Sequence, residues 1–141
     1  MTGEPSEALA RIDSEVQRIR ALLQSRGIAD ALAAAEVLRR EAPGNRDVLY
    51  LIAVALRYSN RIPEALQTLD ELERLHPTYG RLFQERGHCY LAIRSAAEAT
   101  TAFTTAVTLN PALPGSWKSL QGLHRMAGRT AEAESARQFA A

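Results

Sequence analysis

Three histidines and a single cysteine are the side chains of widest chemical reach in this 141-residue chain. His76, His88 and His124 lack close pairings of the H-E-x-x-H type, which place two imidazoles on one side of a metal ion. His88 and Cys89 are neighbours, but adjacent residues on a helix do not face each other, so they make a poor base and thiolate pair. A small buried or half-buried filler is the plainer role for Cys89. Asp70, Glu71 and Glu73 bring carboxylates together with arginines nearby, the pattern of a solvated helix face. The phosphate-cradling G-x-x-x-x-G-K-[ST] loop, the G-x-G-x-x-G fingerprint and the G-x-S-x-G elbow are all missing from the sequence. No acid–base or nucleophile constellation emerges. The expectation is a protein that is not an enzyme, with no cofactor and no metal. The chemistry left is recognition, for which arginine and tyrosine are the best-suited side chains.

Composition narrows the partners. Apolar residues make up 46% of the chain and aromatics 6%, which excludes a disordered chain and suits helices closely packed through Ala and Leu. Seventeen basic and sixteen acidic side chains nearly cancel, without the basic excess that nucleic acid demands. One cysteine requires no oxidising compartment. The opening MTGEPSEALARIDSEV lacks the apolar core of a signal peptide. The longest dense apolar run, residues 48–56, falls well short of the roughly 20 residues of a membrane helix. Nucleic acid and membrane are not expected as partners, and a cytoplasmic location is expected.

The elements that would position any recognition surface repeat along the chain. Pro43, Pro77 and Pro111 are each 34 residues apart and each follows a helical pattern, ending LRREAP, LERLHP and VTLNP. Proline stops a helix there, having no N–H to donate. Upstream of them, at matching offsets, stand Ala31, Ala65 and Ala99, then Ala35, Leu69 and Phe103, then Leu38, Leu72 and Ala106. The preceding helices carry Leu49, Ile52, Ala53 and Leu56; then Phe83, Gly87 and Tyr90; then Trp117 and Leu120, followed by Ala133 on the next helix.

This pattern resembles the tetratricopeptide repeat (TPR), W-x2-L-G-x2-Y, then A-x3-F, then P, at a 34-residue period. The resemblance covers roughly residues 12 to 141. Arg86, Gln121 and Arg137 depart from it, and the first repeat has Glu15, Arg18 and Ile19 in its signature places. The implied fold is all-α: an α-solenoid of antiparallel helix pairs, a TPR superhelix of about three to four repeats. The expected organisation is a loose tail over 1–11 and a repeat domain over 12–141, in units 12–45, 46–79, 80–113 and 114–141. Start and stop signals predict helices over 12–25, 28–41, 46–58, 62–75, 80–92, 96–109, 114–126 and 130–140. Asn45 and Ser116 are read as caps, Ser95 with Glu98 as a capping box, Pro63 as a first-turn residue, and Gly27 and Gly128 as helix-end turns.

The resemblance implies that the first helix of each pair lines a concave face, and so identifies the groove residues. These are Arg20 with Asp13 in the first repeat; Asp47, Tyr50, Val54, Arg57 and Tyr58 in the second; Arg81, Gln84 and His88 in the third; and Lys118 and Arg125 in the fourth. Basic side chains dominate the set, which points to a protein or peptide partner, acidic or carboxylate-bearing. Some TPR domains grip a chaperone tail with a Lys, Asn and Arg clamp. The matching places here hold Val16, Arg20, Leu51, Arg81 and Glu85, or one repeat later Tyr50, Val54, Glu85, Gly115 and Ser119, and neither set makes the clamp.

At the other end, Ala133, Ala136, Phe139 and Ala140 would form an uncovered apolar strip. It suggests continuation into a longer protein or self-association. The wording DVLYLIAVALRYSNRIPEAL, LERLHPTYGRLFQERGHCYLA and NPALPGSW also looks like the N-terminal repeats of bacterial proteins that join a TPR array to a sulfotransferase domain. The leading expectation is thus a protein-interaction module with a locally basic groove. The alternative is the non-catalytic N-terminal region of a larger transferase that positions its substrate.

Overall fold

The computed structural model describes residues 5–140. Eight helices account for its regular structure: α1 (Pro5–Gln24), α2 (Ile28–Glu41), α3 (Arg46–Tyr58), α4 (Ile62–Leu75), α5 (Gly80–Ala92), α6 (Ala96–Leu109), α7 (Pro114–Met126) and α8 (Thr130–Arg137). Their order and nearly all their boundaries follow the sequence signals. Two ends differ. α1 begins at Pro5 and not near residue 12, because SEALARID continues the helical pattern upstream; of the expected tail, residues 1–4 lie outside the described residues. α8 closes at Arg137, short of the expected 140.

A 34-residue period is visible in the backbone itself. Arg26, Asn60, Arg94 and Gly128 all have positive φ, of 69°, 59°, 60° and 76°. One residue later, the N–H of Gly27, Arg61, Ser95 and Arg129 reaches back to the carbonyl of Leu22, Leu56, Tyr90 and His124, at 2.8 to 2.9 Å. This is the left-handed closure of a helix C-terminus, and it reverses the chain the same way four times. Gly27, expected at the left-handed position, is one residue late: Arg26 takes that conformation and Gly27 is the N-cap of α2. The first repeat, with its weak signature, has the same closure as the other three.

Caps account for other boundaries. Asn45 Oδ1 accepts from the N–H groups of Asp47 and Val48 at 3.0 and 3.1 Å, capping α3 as expected. Ser95 and Glu98 bond each other through their side chains instead of forming a backbone capping box. Ser116 is not a cap. Pro114 opens α7, and Ser116 lies inside the helix, fully buried. Along α6, a helix with five threonines, Thr100, Thr101, Thr104, Thr105 and Thr108 each donate to the carbonyl four residues back, at 2.7 to 3.2 Å, so the hydroxyls are satisfied without breaking the helix.

The helices form two compact units, Met1–Leu75 and His76–Ala141. In the first, α1 packs on α2, α2 on α3 and α3 on α4, and α1 also meets α3. Val16, Ile19 and Leu23 of α1 are buried, as are Ala31, Ala35 and Leu38 of α2, Leu49, Ile52 and Ala53 of α3, and Ala65, Leu69 and Leu72 of α4. These are largely the positions that the repeat identifies as core. Arg11 pairs with Glu41 at 2.7 Å, and Arg39 pairs with Glu71, tying α2 to α4.

In the second unit, α5 packs on α6, α6 on α7 and α7 on α8. Ala99, Phe103 and Val107 of α6 meet Leu120 and Leu123 of α7 and Ala136 of α8, with Tyr90 and Trp117 against them. Trp117 Nε1 donates to the Pro111 carbonyl at 2.8 Å, and its ring lies 4.8 Å from Phe139. For two residues of the expected C-terminal strip this arrangement is a correction: Ala133 and Ala136 are buried, while Phe139 stays exposed with its ring beside Trp117. Small residues made that stretch look bare, yet they are what lets the short α8 lie close to α7.

The tightest approach is between α5 and α6. A Cβ on Gly87 would lie 2.7 Å from the ring of Phe103, which is itself fully buried. Gly122 of α7, by contrast, has nothing within 4 Å of such a Cβ. Gly87→Ala should therefore destabilise by about 1–3 kcal/mol through overpacking. Gly122→Ala should stabilise by up to about 1 kcal/mol through helix propensity. Urea and thermal unfolding of both variants check this; equal effects would contradict the close approach.

Candidate functional site

The first-unit site starts from two helical stripes. Tyr50, Val54 and Tyr58 are four residues apart and share one face of α3, while Arg20 and Gln24 share one face of α1. Where α1 meets α3, these stripes border an open crevice of about 200 Å³, completed by Leu23 and Leu51. Four expected groove residues, Arg20, Tyr50, Val54 and Tyr58, are thereby brought together. Val54 differs from expectation in being buried, at 8% exposure, so it forms floor and not an exposed contact. Leu23, Gln24 and Leu51 were not anticipated. Leu23 and Gln24 are three and four residues beyond Arg20, the spacing that signals a shared helix face.

The electrostatics of this cavity are incomplete on one side. Arg20 Nη2 stands 4.0 Å from Asp47 Oδ1, and Asp47 Oδ1 is also 3.4 Å from Arg46 Nε. Arg20 Nε is buried with no hydrogen-bond partner. Arg57 lies beside the cavity with its guanidinium 4.6 Å from the centre of the Tyr58 ring, a cation–π contact on a half-exposed tyrosine. Asp13 is exposed on α1.

The remaining expected residues belong to the second unit. Gln84 on α5 accepts a 2.7 Å hydrogen bond from Ser116 on α7, so its carboxamide oxygen serves packing. His88 is half-buried with its ring edge-on to Phe103, centres 5.2 Å apart. Arg81, Lys118 and Arg125 lie on α5 and α7, and all three are exposed. Arg125 adds to a local field at α8: the Glu134 carboxyl is held below the usual range, first by its hydrogen bond with Arg137 and then by the charges of Arg137 and Arg125.

Larger crevices of about 440 and 360 Å³ lie in the same unit. One is lined by Phe83, Arg86 and Tyr90 against Thr101 and Thr105; the other repeats it 34 residues on with Trp117, Leu120 and His124. They are mainly apolar, and Arg86 lies over Phe83 with its guanidinium 5.2 Å from the ring centre. They carry less polar chemistry than the smaller Arg20 cavity. Cys89 is buried and is not in a disulfide. Among the described residues no three His, Cys, Asp or Glu side chains gather to hold a metal, and no helix is long and apolar enough to cross a membrane.

Solved structures share this arrangement. The first, TTC0263, a thermophilic TPR protein in Thermus thermophilus, superposes with a TM-score of 0.79 at 23% identity, over 92% of this chain and 72% of that one. This chain has the tetratricopeptide-repeat fold. MamA matches the same tetratricopeptide arrangement with a TM-score of 0.75 at 14% identity, over 92% of this chain and 75% of that one. The first TPR of Spaghetti (RPAP3), bound to the HSP90 peptide SRMEEVD, matches at 0.73 and 14% identity, over 89% and 96%. No protein-family model and no curated protein matches the chain. Nothing in these likenesses supports the sulfotransferase resemblance.

The Ser116–Gln84 bond yields a direct check. Ser116→Ala removes a donor from the α5–α7 contact and should cost about 1 kcal/mol of unfolding free energy. Urea denaturation measures it; an unchanged midpoint would show that Gln84 is not held.

Proposed function

We propose that this chain is a protein-interaction module whose odd-numbered helices bind an extended, acidic peptide segment. The observation that carries the reading is the α1/α3 cavity, where Arg20, Tyr50 and Tyr58 converge over an apolar floor. Arginine and tyrosine supply much of the binding energy at protein interfaces, through charge-assisted hydrogen bonds and large rigid contact area. Arg57 beside that cavity, and Arg81, Lys118 and Arg125 on the second unit, add positive charge. The structural likeness to a TPR bound to SRMEEVD, a peptide with two glutamates and an aspartate, supports a ligand of this chemistry. The clamp residues of chaperone-tail binders are absent from the matching positions, so the reading concerns acidic peptides in general. No constellation for group transfer accompanies the cavity, and the proposed role is non-catalytic.

The test uses fluorescein-labelled nonapeptide pools whose other positions are random but uncharged, with a central Leu-Glu or Leu-Gln pair, read by fluorescence anisotropy on the full chain. The Leu-Glu pool should bind, more weakly as salt rises. Arg57→Glu and Arg81→Glu should each weaken it by roughly three- to tenfold. Unchanged affinity in both variants would contradict the reading.

A further inference from the structure

We propose that the N-terminal end of α1 is a second docking surface, for a basic amphipathic helix of another protein. It goes beyond the acidic-peptide reading, since it concerns a different stretch of α1 and a partner of opposite charge.

The first sign is length. α1 has 20 residues where α3, α5 and α7 each have 13. Its apolar residues follow alternate steps of three and four: Leu9, Ile12, Val16, Ile19 and Leu23. That spacing keeps them on one seam of the helix, of the kind into which another helix packs. α2 and α3 cover only part of the seam. Val16, Ile19 and Leu23 are buried, Ile12 is half-buried and Leu9 is 59% exposed. The cover stops where α2 stops: Glu41, the last residue of α2, pairs with Arg11 at 2.7 Å. Every residue from Ser6 to Arg11 is exposed, a stretch of about 9 Å of helix. Ala8 and Ala10, on either side of Leu9, are small, so a second helix has room to approach.

Charge selects the partner. Residues 1–15 carry four acids, Glu4, Glu7, Asp13 and Glu15, and one arginine, in a chain whose totals nearly cancel. That arginine, Arg11, is engaged by Glu41. Asp13 is four residues on from Leu9 and Glu15 is three on from Ile12, which puts a carboxylate on each side of the seam. Two copies of this seam laid together would set like charges against each other, which disfavours self-pairing. A helix with leucine or isoleucine on the same spacing, and lysine or arginine beside them, satisfies both the seam and the acids.

Three fluorescein-labelled peptides, each three heptads long, test this on the full chain by fluorescence anisotropy. The first has a leucine seam flanked by lysine and arginine. The second has the same seam flanked by glutamate, and the third has the basic flanks with alanine in place of each seam leucine. The first should bind at least about tenfold more tightly than either of the others. Leu9→Glu should weaken it by at least about tenfold, although the added carboxylate would strengthen a contact made by charge alone. Asp13→Lys should weaken it by roughly threefold or more. Ile93→Glu, at another exposed apolar residue, should leave it unchanged. Circular dichroism confirms that each variant is folded. Equal binding of the glutamate or alanine peptide, full affinity in either α1 variant, an equal loss in Ile93→Glu, or no binding at all overturns the proposal and leaves the acidic-peptide reading standing. Sedimentation velocity of the peptide-free chain checks the other occupant: a monomer is expected, and a dimer that Leu9→Glu dissolves would assign the seam to a second copy and overturn the proposal.

Discussion

Everything in this structure depends on how closely two paired helices approach. A helix pair this short buries little surface unless its axes are near, and axes come near only where side chains are small. Ala31, Ala65, Ala99 and Ala133 hold the same place on the even helices and are all buried; on the odd helices Ala53 and Gly87 hold the facing place. At Gly87 the tolerance is so tight that the ring of Phe103 occupies the space of a missing methyl group. The left-handed closures at Arg26, Asn60, Arg94 and Gly128 recur every 34 residues, and small residues face each other in the second and third repeats, where Ala53 and Gly87 stand opposite Ala65 and Ala99. The cavity at Arg20 is a consequence: fixed turns place the α1 stripe opposite the α3 stripe.

Burial rather than charge holds the fold. Most ion pairs connect neighbours on one helix surface, such as Glu15 with Arg18, Arg61 with Glu64 and Glu134 with Arg137. In each, the hydrogen bond from arginine holds the carboxyl below its usual range. A lowered folded-state value means stabilisation that is present above the ordinary carboxylate range and fades as pH falls through the lowered one. These groups lie at the surface and are screened by water and salt, so they contribute little.

The fold was legible because its determinants are local. A proline after each helix pair, alanines at fixed offsets and the Asn45 cap act within a few residues of themselves, and they located most helix ends closely. What stayed hidden depends on contacts distant in sequence. Ser116 looks like a cap when only its neighbours are considered; in the fold α7 opens at Pro114, and the Ser116 hydroxyl is buried and bonded to Gln84 on another helix. Ala133 and Ala136 look bare until α7 is laid against them. The candidate site was half legible. The i, i+4 stripe of Tyr50, Val54 and Tyr58 gave its location, but the burial of Val54, the part played by Leu23 and Gln24 and the unmatched Nε of Arg20 arise only from the packing of α1 on α3. A left-handed arginine at position 26 was similarly unreadable, because glycine next to it is the residue that usually signals such a turn.

The central claim is that recognition lies on the odd helices, with the even helices as scaffold. The most direct test is an amide nitrogen–proton NMR titration of the full chain with the Leu-Glu peptide pool. The account predicts shifts concentrated at Arg20, Gln24, Tyr50 and Tyr58, with the threonine-bearing outer face of α6 unmoved. Shifts centred on Thr100, Thr104 and Thr108, with the α1 and α3 signals unchanged, would contradict it.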